Sequence, residues 1–275
     1  MDGAGVTPEF VGEFAGSKIL ARSAQGIGRV VFNQPEKRNA MSVAMWEGLG
    51  QALDRFAGDP AVRVVVLEGA GDKAFVSGAD ISQFEAQRSD SEAQRAYERL
   101  TAAGRDRLAA FPKPVIAKIR GFCLGGGLGL AMQADLRIAA EDASFGIPAA
   151  KLGLAYGFGT VQVLTSLVGP AHARMMLFTG ERIDAWEAER IGLVNDVVPV
   201  ELLDRTVDRL AETIAANAPL TIRSAKLSIA AAAQDPAARD MAAVQAAFAA
   251  CFDSADYREG RRAFMDKRKP RFTGA

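Results

Sequence analysis

The segment of the sequence best suited to chemistry is residues 121–129, GFCLGGGLG. It follows an apolar run, residues 114–119, that predicts a buried strand. Three consecutive glycines leave the backbone N–H groups without shielding side chains, and the start of a following helix adds a partial positive charge. Both features favour a negatively charged oxygen. The segment therefore predicts that the protein stabilises an oxyanion.

The elements before this segment are predicted to form a β-rich half. Residues 18–24 and 29–32 alternate around a Gly-Ile-Gly turn and predict a β-hairpin. Residues 42–57 have helical spacing, with Ser42 as the N-cap. The compact β-branched run at residues 62–67 predicts a strand that is buried on both faces.

The elements around and after the glycines change in character. Residues 83–107 are polar and helical by propensity, and strand 114–119, helix 126–133 and strand 135–139 predict a β-α-β unit. Beyond Thr160 the pattern is almost entirely helical, which favours an α/β core followed by a helical region. The predicted helices are residues 161–168, 171–179, 185–190, 201–217, 220–233, 238–252 and 257–267.

The composition limits the classes of function. A chain of 275 residues can hold one large domain, or one domain and a smaller appendage. Basic and acidic residues number 33 each, and a net charge of zero does not fit a nucleic-acid-binding protein. Charges interrupt every apolar run before the roughly 20 residues of a membrane span, and the first residues do not resemble a signal peptide. We expect a cytoplasmic protein that binds neither nucleic acid nor membrane.

Several common catalytic signatures are absent from the sequence. Cys123 and Cys251 are too few for a disulfide framework or a metal-ligand cluster. His172 is the only histidine, and its place at the start of a predicted helix is typical of a solvated surface residue. A zinc site or a Ser-His-Asp triad would depend on it alone. The sequence contains no dinucleotide-binding, P-loop or G-x-S-x-G motif. We therefore expect no metal site.

Motifs that follow one another along residues 18–272 resemble those of the crotonase (enoyl-CoA hydratase/isomerase) superfamily. They are NQPEKRNA at 33–40 (the entry to the first helix), AFVSGADI at 74–81 (the first oxyanion-hole loop), GGG at 125–127 (the second), FGIP at 145–148 with the Leu-Gly pair at 152–153 (the active-site turn), residues 180–199 (the trimer-building region) and residues 264–270 (the basic tail). Each motif alone is modest, but the ordered set is highly specific.

The resemblance implies an α/β fold with a crotonase-like β/α spiral core and a C-terminal helical oligomerisation region. It places the core with the acyl-CoA site in residues 1–200, and a helical region for trimerisation and for covering coenzyme A in residues 201–275. It also implies an acyl-CoA substrate, no permanently bound cofactor, coenzyme A as part of the thioester substrate, and a homotrimer or hexamer.

The resemblance assigns the oxyanion hole to two backbone N–H groups. Residues Ala79 and Gly126 match the two positions whose N–H groups point at the thioester oxygen in this family. Two such donors can each contribute on the order of 3 kcal/mol to an enolate-forming step. A purely structural role for the glycines is tight packing of the helix onto the sheet. For Asp80 the better interpretation is a loop or helix cap.

The sequence departs from the family at the acid/base positions. Hydratases of the family carry two glutamates, and the matching positions here are Gly129 and Ala149. Dienoyl isomerases and dehalogenases of the family use an aspartate at a position that is here Gly157. A general acid or base typically accelerates a reaction by ~10²–10⁴-fold. We therefore expect ordinary hydration to be very slow.

Tyr156 is the candidate replacement within the active-site turn. The sequence there resembles methylmalonyl-CoA decarboxylases, which lack the second glutamate and carry a tyrosine after a Leu-Gly pair. Decarboxylation needs no base at the α-carbon, so an oxyanion hole and a hydroxyl that orients the carboxylate can suffice. Those decarboxylases have a histidine where this chain has Ala79, so the match is partial. The structural alternative for Tyr156 is a buried aromatic ring with a satisfied hydroxyl.

Three hypotheses about function remain open. The first is an acyl-CoA enzyme that works through an enolate without glutamates, as a decarboxylase, isomerase or other lyase. The second is a hydratase that recruits another acid such as Glu85, for which a solvated helix position is the simpler interpretation. The third is a catalytically silent acyl-CoA-binding protein.

The contacts to coenzyme A follow from the resemblance alone. Lys37 and Arg38 match the place where the first-helix entry meets the nucleotide, and Lys267 matches a tail lysine that reaches phosphates, often from a neighbouring subunit. Phe248 matches an aromatic residue near the adenine. The alternatives are a solvated charge run for the basic tail and a core position for Phe248, which has helical spacing with Phe252.

Overall fold

The computed structural model of the chain describes residues 9–80 and 91–275, and within them it shows a mixed α/β fold. The strands are β1 Glu9–Phe14, β2 Ile19–Ala24, β3 Ile27–Phe32, β4 Val64–Gly69, β5 Ala74–Val76, β6 Val115–Ile119, β7 Phe122–Leu124, β8 Leu136–Ala140, β9 Ser144–Gly146, β10 Arg182–Asp184 and β11 Asp196–Val198. The helices are α1 Val43–Gly58, α2 Ser91–Ala109, α3 Gly126–Ala131, α4 Phe158–Thr179, α5 Ala185–Arg190, α6 Leu203–Ala216, α7 Pro219–Ala232, α8 Met241–Asp253 and α9 Ala255–Met265. Short 3-10 turns are Pro35–Lys37, Pro148–Leu152, Val200–Leu202 and Pro236–Ala238.

The larger sheet has the strand order β1-β2-β3-β4-β6-β8-β11. Strands β1, β2 and β3 are antiparallel, and the pairs from β3 to β11 are parallel. The predicted hairpin is confirmed, with Ala24 paired to Ile27 next to the turn. Parallel strands need crossover segments, and these segments carry the loops that build the site.

Strand β4 lies at the centre of the core and is buried on both faces, as predicted. Val65 and Leu67 belong to the main apolar cluster, which extends to the second sheet. Val64 and Val66 belong to the other cluster, which packs against α6. Because alternate residues of a strand point to opposite faces, one β-branched run fills both layers.

Helix α1 begins where the sequence predicts. The Ser42 side chain accepts a hydrogen bond from the Met45 N–H at 3.3 Å, which satisfies one of the free donors of the first turn. Helix α1 packs closely on α2 at Gly104, where a Cβ atom would lie 2.3 Å from the Trp46 carbonyl oxygen. This contact fixes α2 above the site.

A second sheet, with the order β10-β9-β7-β5, is not expected from the sequence. Each of its strands has three residues, too few to show alternation. Strand β7 replaces the direct turn from the predicted strand 114–119 into the glycines. Strands β10 and β11 correct the expectation that the chain is almost entirely helical beyond Thr160.

The predicted helices 161–168 and 171–179 form one helical run, α4, with a break. Gly169 has φ 73° within it, and Pro170 follows. Proline cannot donate the backbone hydrogen bond of a helix interior, so the break falls where the two predicted helices meet.

The C-terminal helices leave large apolar side chains exposed. Phe248, Phe264 and Met265 are 61–83% exposed. Among the residues described, no helix combines the length and the apolar character that crossing a membrane requires. The division into residues 1–200 and 201–275 stays a prediction.

Candidate active site

The loop after β5 is fixed by main-chain hydrogen bonds to the segment before α1. The Met41 N–H donates to the Gly78 carbonyl at 2.8 Å, and the Asp80 N–H donates to the Met41 carbonyl at 3.0 Å. Ala79 lies between these bonds, and its own N–H has no acceptor among the described residues. The loop therefore presents one backbone donor.

The glycine run presents the second donor. Gly125 has φ 54° and ψ −120°, a backbone conformation that is essentially restricted to glycine. Its N–H donates to the Gly146 carbonyl at 2.8 Å. Gly126 is the first residue of α3, and within residues 9–80 and 91–275 its N–H has no acceptor.

The two loops meet at these donors. A Cβ atom built on Gly126 would lie 3.7 Å from the Ala79 nitrogen. Gly127, by contrast, packs against the sheet, since a Cβ atom there would lie 2.0 Å from the Val76 carbonyl oxygen. The two interpretations of the glycine run thus apply to different glycines. Gly127 allows close packing, and Gly126 borders the space between the loops.

Tyr156 lies beside the same glycines. Its hydroxyl oxygen is 3.6 Å from the position that a Cβ atom on Gly125 would take. The residue belongs to the segment between the Pro148–Leu152 turn and α4, and its half-buried ring packs on the main apolar cluster. The structure therefore brings Tyr156 together with both loops.

A cavity of 440 Å³ opens at this point. Its lining includes Ala79, Gly126 and Tyr156. Gly129 and Ala149, which the resemblance matches to the glutamates of hydratases, line it as well. Neither has a side chain that transfers a proton. A Cβ atom on Gly129 would meet only the Thr160 Cγ2, at 3.7 Å.

The charged side chains that line the cavity, among the described residues, are mainly basic. They are Arg38, Arg105, Arg182 and Glu98. Arg105 lies over the Trp46 ring at 6.0 Å from its centroid. The guanidinium groups of Arg38 and Arg182 each lie 5.1 Å from the centroid of the Phe122 ring. This excess of positive charge suits an anionic ligand.

Lys37 lies next to the first loop but does not line the cavity. Its ammonium group pairs with the Asp80 carboxylate at 2.9 Å, and Asp80 is 8% exposed. The pair connects the 3-10 turn Pro35–Lys37 to the residue that follows Ala79. Its position supports a role in holding the loop, and the coenzyme A contact of Lys37 stays a prediction.

Phe248 and Lys267 lie on the C-terminal helices and away from the cavity lining of the described chain. Phe248 is 61% exposed, and its ring centroid lies 4.9 Å from that of Phe252, so its core interpretation is wrong within one chain. Lys267 is exposed just after α9, with φ 53°. Their contacts to coenzyme A stay predictions.

Other residues also bear on the site. Glu85 lies outside the described residues. Glu98 and Arg105 were not predicted, because a polar amphipathic helix does not reveal which charges face a ligand. Arg182 was missed because three residues of β10 give no strand pattern.

The protonation of Cys123 and the distribution of possible metal ligands also bear on the chemistry of the described residues. Burial raises the pKa of the Cys123 thiol, despite the opposing effect of Arg137, so this cysteine stays protonated at neutral pH. Groups of His, Cys, Asp and Glu able to hold a metal ion are not found in the described part of the chain.

The chain is similar to known proteins along most of its length. The model of a family described as enoyl-CoA hydratase/isomerase matches residues 22–275. A crotonyl-CoA hydratase of Syntrophomonas wolfei is 39% identical over 260 residues, which cover 92% of this chain and 97% of that protein. A short-chain-enoyl-CoA hydratase of Clostridium acetobutylicum is 38% identical over 253 residues, covering 92% and 96%.

Solved structures show the same similarity. A crystal structure of an enoyl-CoA hydratase/carnithine racemase from Magnetospirillum magneticum superposes with a TM-score of 0.88. It is 38% identical in sequence, and the match covers 94% of this chain and 96% of that one.

Proposed function

The chain belongs to the enoyl-CoA hydratase/isomerase family, and from that premise we propose that it is an enzyme that stabilises the enolate of an acyl-CoA thioester. The Ala79 and Gly126 N–H groups form the oxyanion hole. The observation that carries this proposal is the approach of the two loops, with both donors unoccupied within the described residues.

The physical basis is preorganisation. Both N–H groups belong to backbone segments that hydrogen bonds and close packing already fix, so they need not reorient when charge develops on the thioester oxygen. Each such donor can stabilise that charge by about 3 kcal/mol. Coenzyme A enters as part of the substrate, and the basic cavity lining is consistent with its phosphates.

The reaction that best fits the side chains is a lyase or isomerase reaction without glutamates, such as decarboxylation of a 2-carboxyacyl thioester. The bond from the α-carbon to the carboxylate breaks, and its electron pair forms the C=C bond of the enolate. Carbon dioxide leaves, and charge collects on the thioester oxygen beside Ala79 and Gly126. Water then protonates the α-carbon, and the resulting hydroxide is taken up by carbon dioxide as bicarbonate. The Tyr156 hydroxyl orients the departing carboxylate.

A hydratase with a non-standard acid is the second candidate. The names of the curated relatives favour hydration, and Glu98 supplies a carboxylate in the cavity lining. In this case Glu98→Gln abolishes hydration while thioester binding persists. Glu85→Gln is the matched test of the other acid.

The exposed apolar side chains of the C-terminal helices support assembly into a homotrimer or hexamer. Phe264 and Met265 are adjacent on α9 and are 83% and 79% exposed, and contiguous exposed apolar surface is typical of an interaction site. A neighbouring copy can then bring Lys267 and Phe248 to coenzyme A. Light scattering coupled to size exclusion measures the assembly. The cytoplasmic location stays a prediction.

The deciding experiment incubates the purified protein with crotonyl-CoA and with methylmalonyl-CoA and follows the thioesters by mass spectrometry. Decarboxylation without hydration supports the Tyr156 mechanism. Hydration at about 1–10³ per second refutes the argument from the missing glutamates and favours the second candidate. Binding without turnover of any thioester leaves a non-catalytic acyl-CoA-binding protein.

A further inference from the structure

Gly129 leaves open space on the cavity side of α3. Among the described residues, a Cβ atom on Gly129 would approach only the Thr160 Cγ2, at 3.7 Å. The Gly129 N–H donates to the Gly125 carbonyl at 3.0 Å, so one turn of α3 separates the two glycines. A Cβ atom on Gly125 would lie 3.6 Å from the Tyr156 hydroxyl oxygen. Both glycines line the cavity, so Tyr156 and Thr160 flank successive turns of one glycine-lined wall.

Two polar side chains line the cavity near this space. Thr160 lies in the first turn of α4, and Gln133 lies one helical turn beyond Gly129, just after α3 ends. Both residues are half-buried and belong to the cavity lining. Neither side chain has a hydrogen-bond partner within residues 9–80 and 91–275, and their polar atoms are not sealed from solvent. A hydroxyl and an amide are thus available to a ligand.

The space lies close to the proposed oxyanion hole. Gly126 and Gly129 are three residues apart on α3, which is about 4.5 Å along the helix axis. A thioester oxygen bound at the Gly126 N–H is two bonds away from the α-carbon of the acyl group. A substituent on that carbon can therefore occupy the room beside Gly129.

The polar groups around the space favour a carboxylate. A hydroxyl and a primary amide can each donate a hydrogen bond to a carboxylate oxygen. Thr160 lies two residues after Phe158, where α4 begins, and the N-terminal end of a helix adds a partial positive charge. The charged residues of the cavity lining are mainly arginines, which act in the same direction.

We infer that Thr160 and Gln133 bind a carboxylate on the α-carbon of the acyl group, in the space beside Gly129. The inference rests on the proposed function and deepens it, because it names 2-carboxyacyl thioesters as the substrate class. It also adds two specificity residues to Tyr156, whose hydroxyl approaches the neighbouring turn of α3.

Neutral donors suit a carboxylate that leaves as carbon dioxide. Its negative charge moves to the thioester oxygen as the bond to the α-carbon breaks. An ion pair with the carboxylate would stabilise the bound substrate more than the transition state, and this would slow the reaction. Hydrogen bonds from Thr160 and Gln133 orient the group at a smaller energetic penalty, since a neutral donor binds a carboxylate less strongly than a cation does.

The test measures the binding of two thioesters by isothermal titration calorimetry. One is propionyl-CoA, and the other is 2-sulfopropionyl-CoA, in which a sulfonate replaces the carboxylate of methylmalonyl-CoA and cannot leave as carbon dioxide. Thr160→Val removes the hydroxyl and keeps Cγ2, and Gln133→Leu removes the amide. Thr165→Val is the matched control, because Thr165 is also half-buried on α4 but lies outside the cavity lining. Gly129→Val fills the space itself.

We expect the wild-type protein to bind the sulfonate probe more tightly than propionyl-CoA. Thr160→Val and Gln133→Leu should each weaken the sulfonate probe about tenfold and leave propionyl-CoA unchanged. Gly129→Val should abolish the preference for the sulfonate probe, and Thr165→Val should change neither affinity. Melting temperatures measured on each variant check that it folds.

Unchanged binding of the sulfonate probe in Thr160→Val and Gln133→Leu overturns the inference and leaves the proposed function intact. Equal weakening of both probes also overturns it, because propionyl-CoA has no group for these side chains. A wild-type protein that prefers propionyl-CoA has the same meaning. A wild-type protein that binds neither thioester overturns the proposed function and this inference together.

Discussion

The Ala79 nitrogen lies 3.7 Å from the point that a Cβ atom on Gly126 would occupy. A methyl group at that point contacts protein only at ordinary van der Waals distance, but it crowds the space in which an oxygen would reach both donors. This separates the role of Gly126 in chemistry from its role in folding.

We expect Gly126→Ala to fold normally and to lose about 10²-fold or more in turnover of its thioester substrate, because one donor becomes inaccessible. Gly127→Ala is the matched control variant, for which we expect a loss of stability. Its Cβ atom would lie 2.0 Å from the Val76 carbonyl oxygen, and the overpacking should lower the free energy of unfolding by about 3 kcal/mol or prevent folding. Urea unfolding and kinetics measured on both variants check the pair. Equal loss of stability in the two would contradict the assignment.

Tyr156→Phe removes the hydroxyl and keeps the ring that packs on the core. If the hydroxyl orients a carboxylate, kcat for decarboxylation of methylmalonyl-CoA should fall about tenfold, and the melting temperature should hardly change. The control substrate is acetyl-CoA, whose binding should be unaffected. Unchanged kcat would make Tyr156 a packing residue.

Introducing carboxylates at the two positions tests the prediction that hydration is disfavoured. Gly129→Glu has room, since only the Thr160 Cγ2 lies near its Cβ position, and Ala149 lines the same cavity. The double variant with glutamate at both positions should hydrate crotonyl-CoA at least about 10²-fold faster than the wild type. The corresponding double glutamine variant should show no gain. Fast hydration by the wild-type protein would show that another residue already acts as the general acid.

Lys118→Met tests a charge cluster away from the site. Lys118 on β6 pairs with Glu68 and with Asp204, and the side chains of Lys118 and Glu68 are 17% and 13% exposed. Removing the ammonium should lower the free energy of unfolding by about 2 kcal/mol. Lys151→Met, whose partner Glu181 is 70% exposed, should cost less than about 1 kcal/mol.

The same pair predicts a pH dependence. Burial alone would lower the pKa of Lys118, but Glu68 and Asp204 outweigh it and raise the pKa above its ordinary value of 10.5. A raised pKa stabilises the fold below the unfolded-state pKa, and this contribution disappears as the pH rises through the folded-state pKa. Wild-type stability should therefore fall above about pH 10.5. The Lys118→Met variant should show a smaller fall in urea unfolding over that range.

The sequence allows the long elements and the oxyanion motif to be predicted for a physical reason. The run that became β4 is compact and β-branched, and Ser42 caps a long amphipathic helix, so local signals agree with the tertiary packing. The family motifs locate the two loops that we propose to form the oxyanion hole. Their approach to each other and to Tyr156 required the three-dimensional structure.

The remaining features arise from long-range contacts. Strand β10 exists because Arg182 pairs with Gly146, 36 positions earlier in the chain, and three residues carry no periodic signal of their own. Arg105 and Glu98 lie on α2, and the close packing of α2 on α1 at Gly104 is a contact between distant parts of the chain. Side-chain type alone does not indicate such placements.

The arginines of the cavity also affect how fast a ligand arrives. The chain as a whole is neutral, so its distant field is weak, while Arg38, Arg105 and Arg182 outnumber Glu98 in the cavity lining and give it a positive potential. Such a local field accelerates the capture of a multiply charged anion without attracting it to the rest of the surface. Added salt shortens the reach of this field to about 8 Å at 0.15 M ionic strength. Encounter rates should therefore slow with ionic strength, while dissociation changes less.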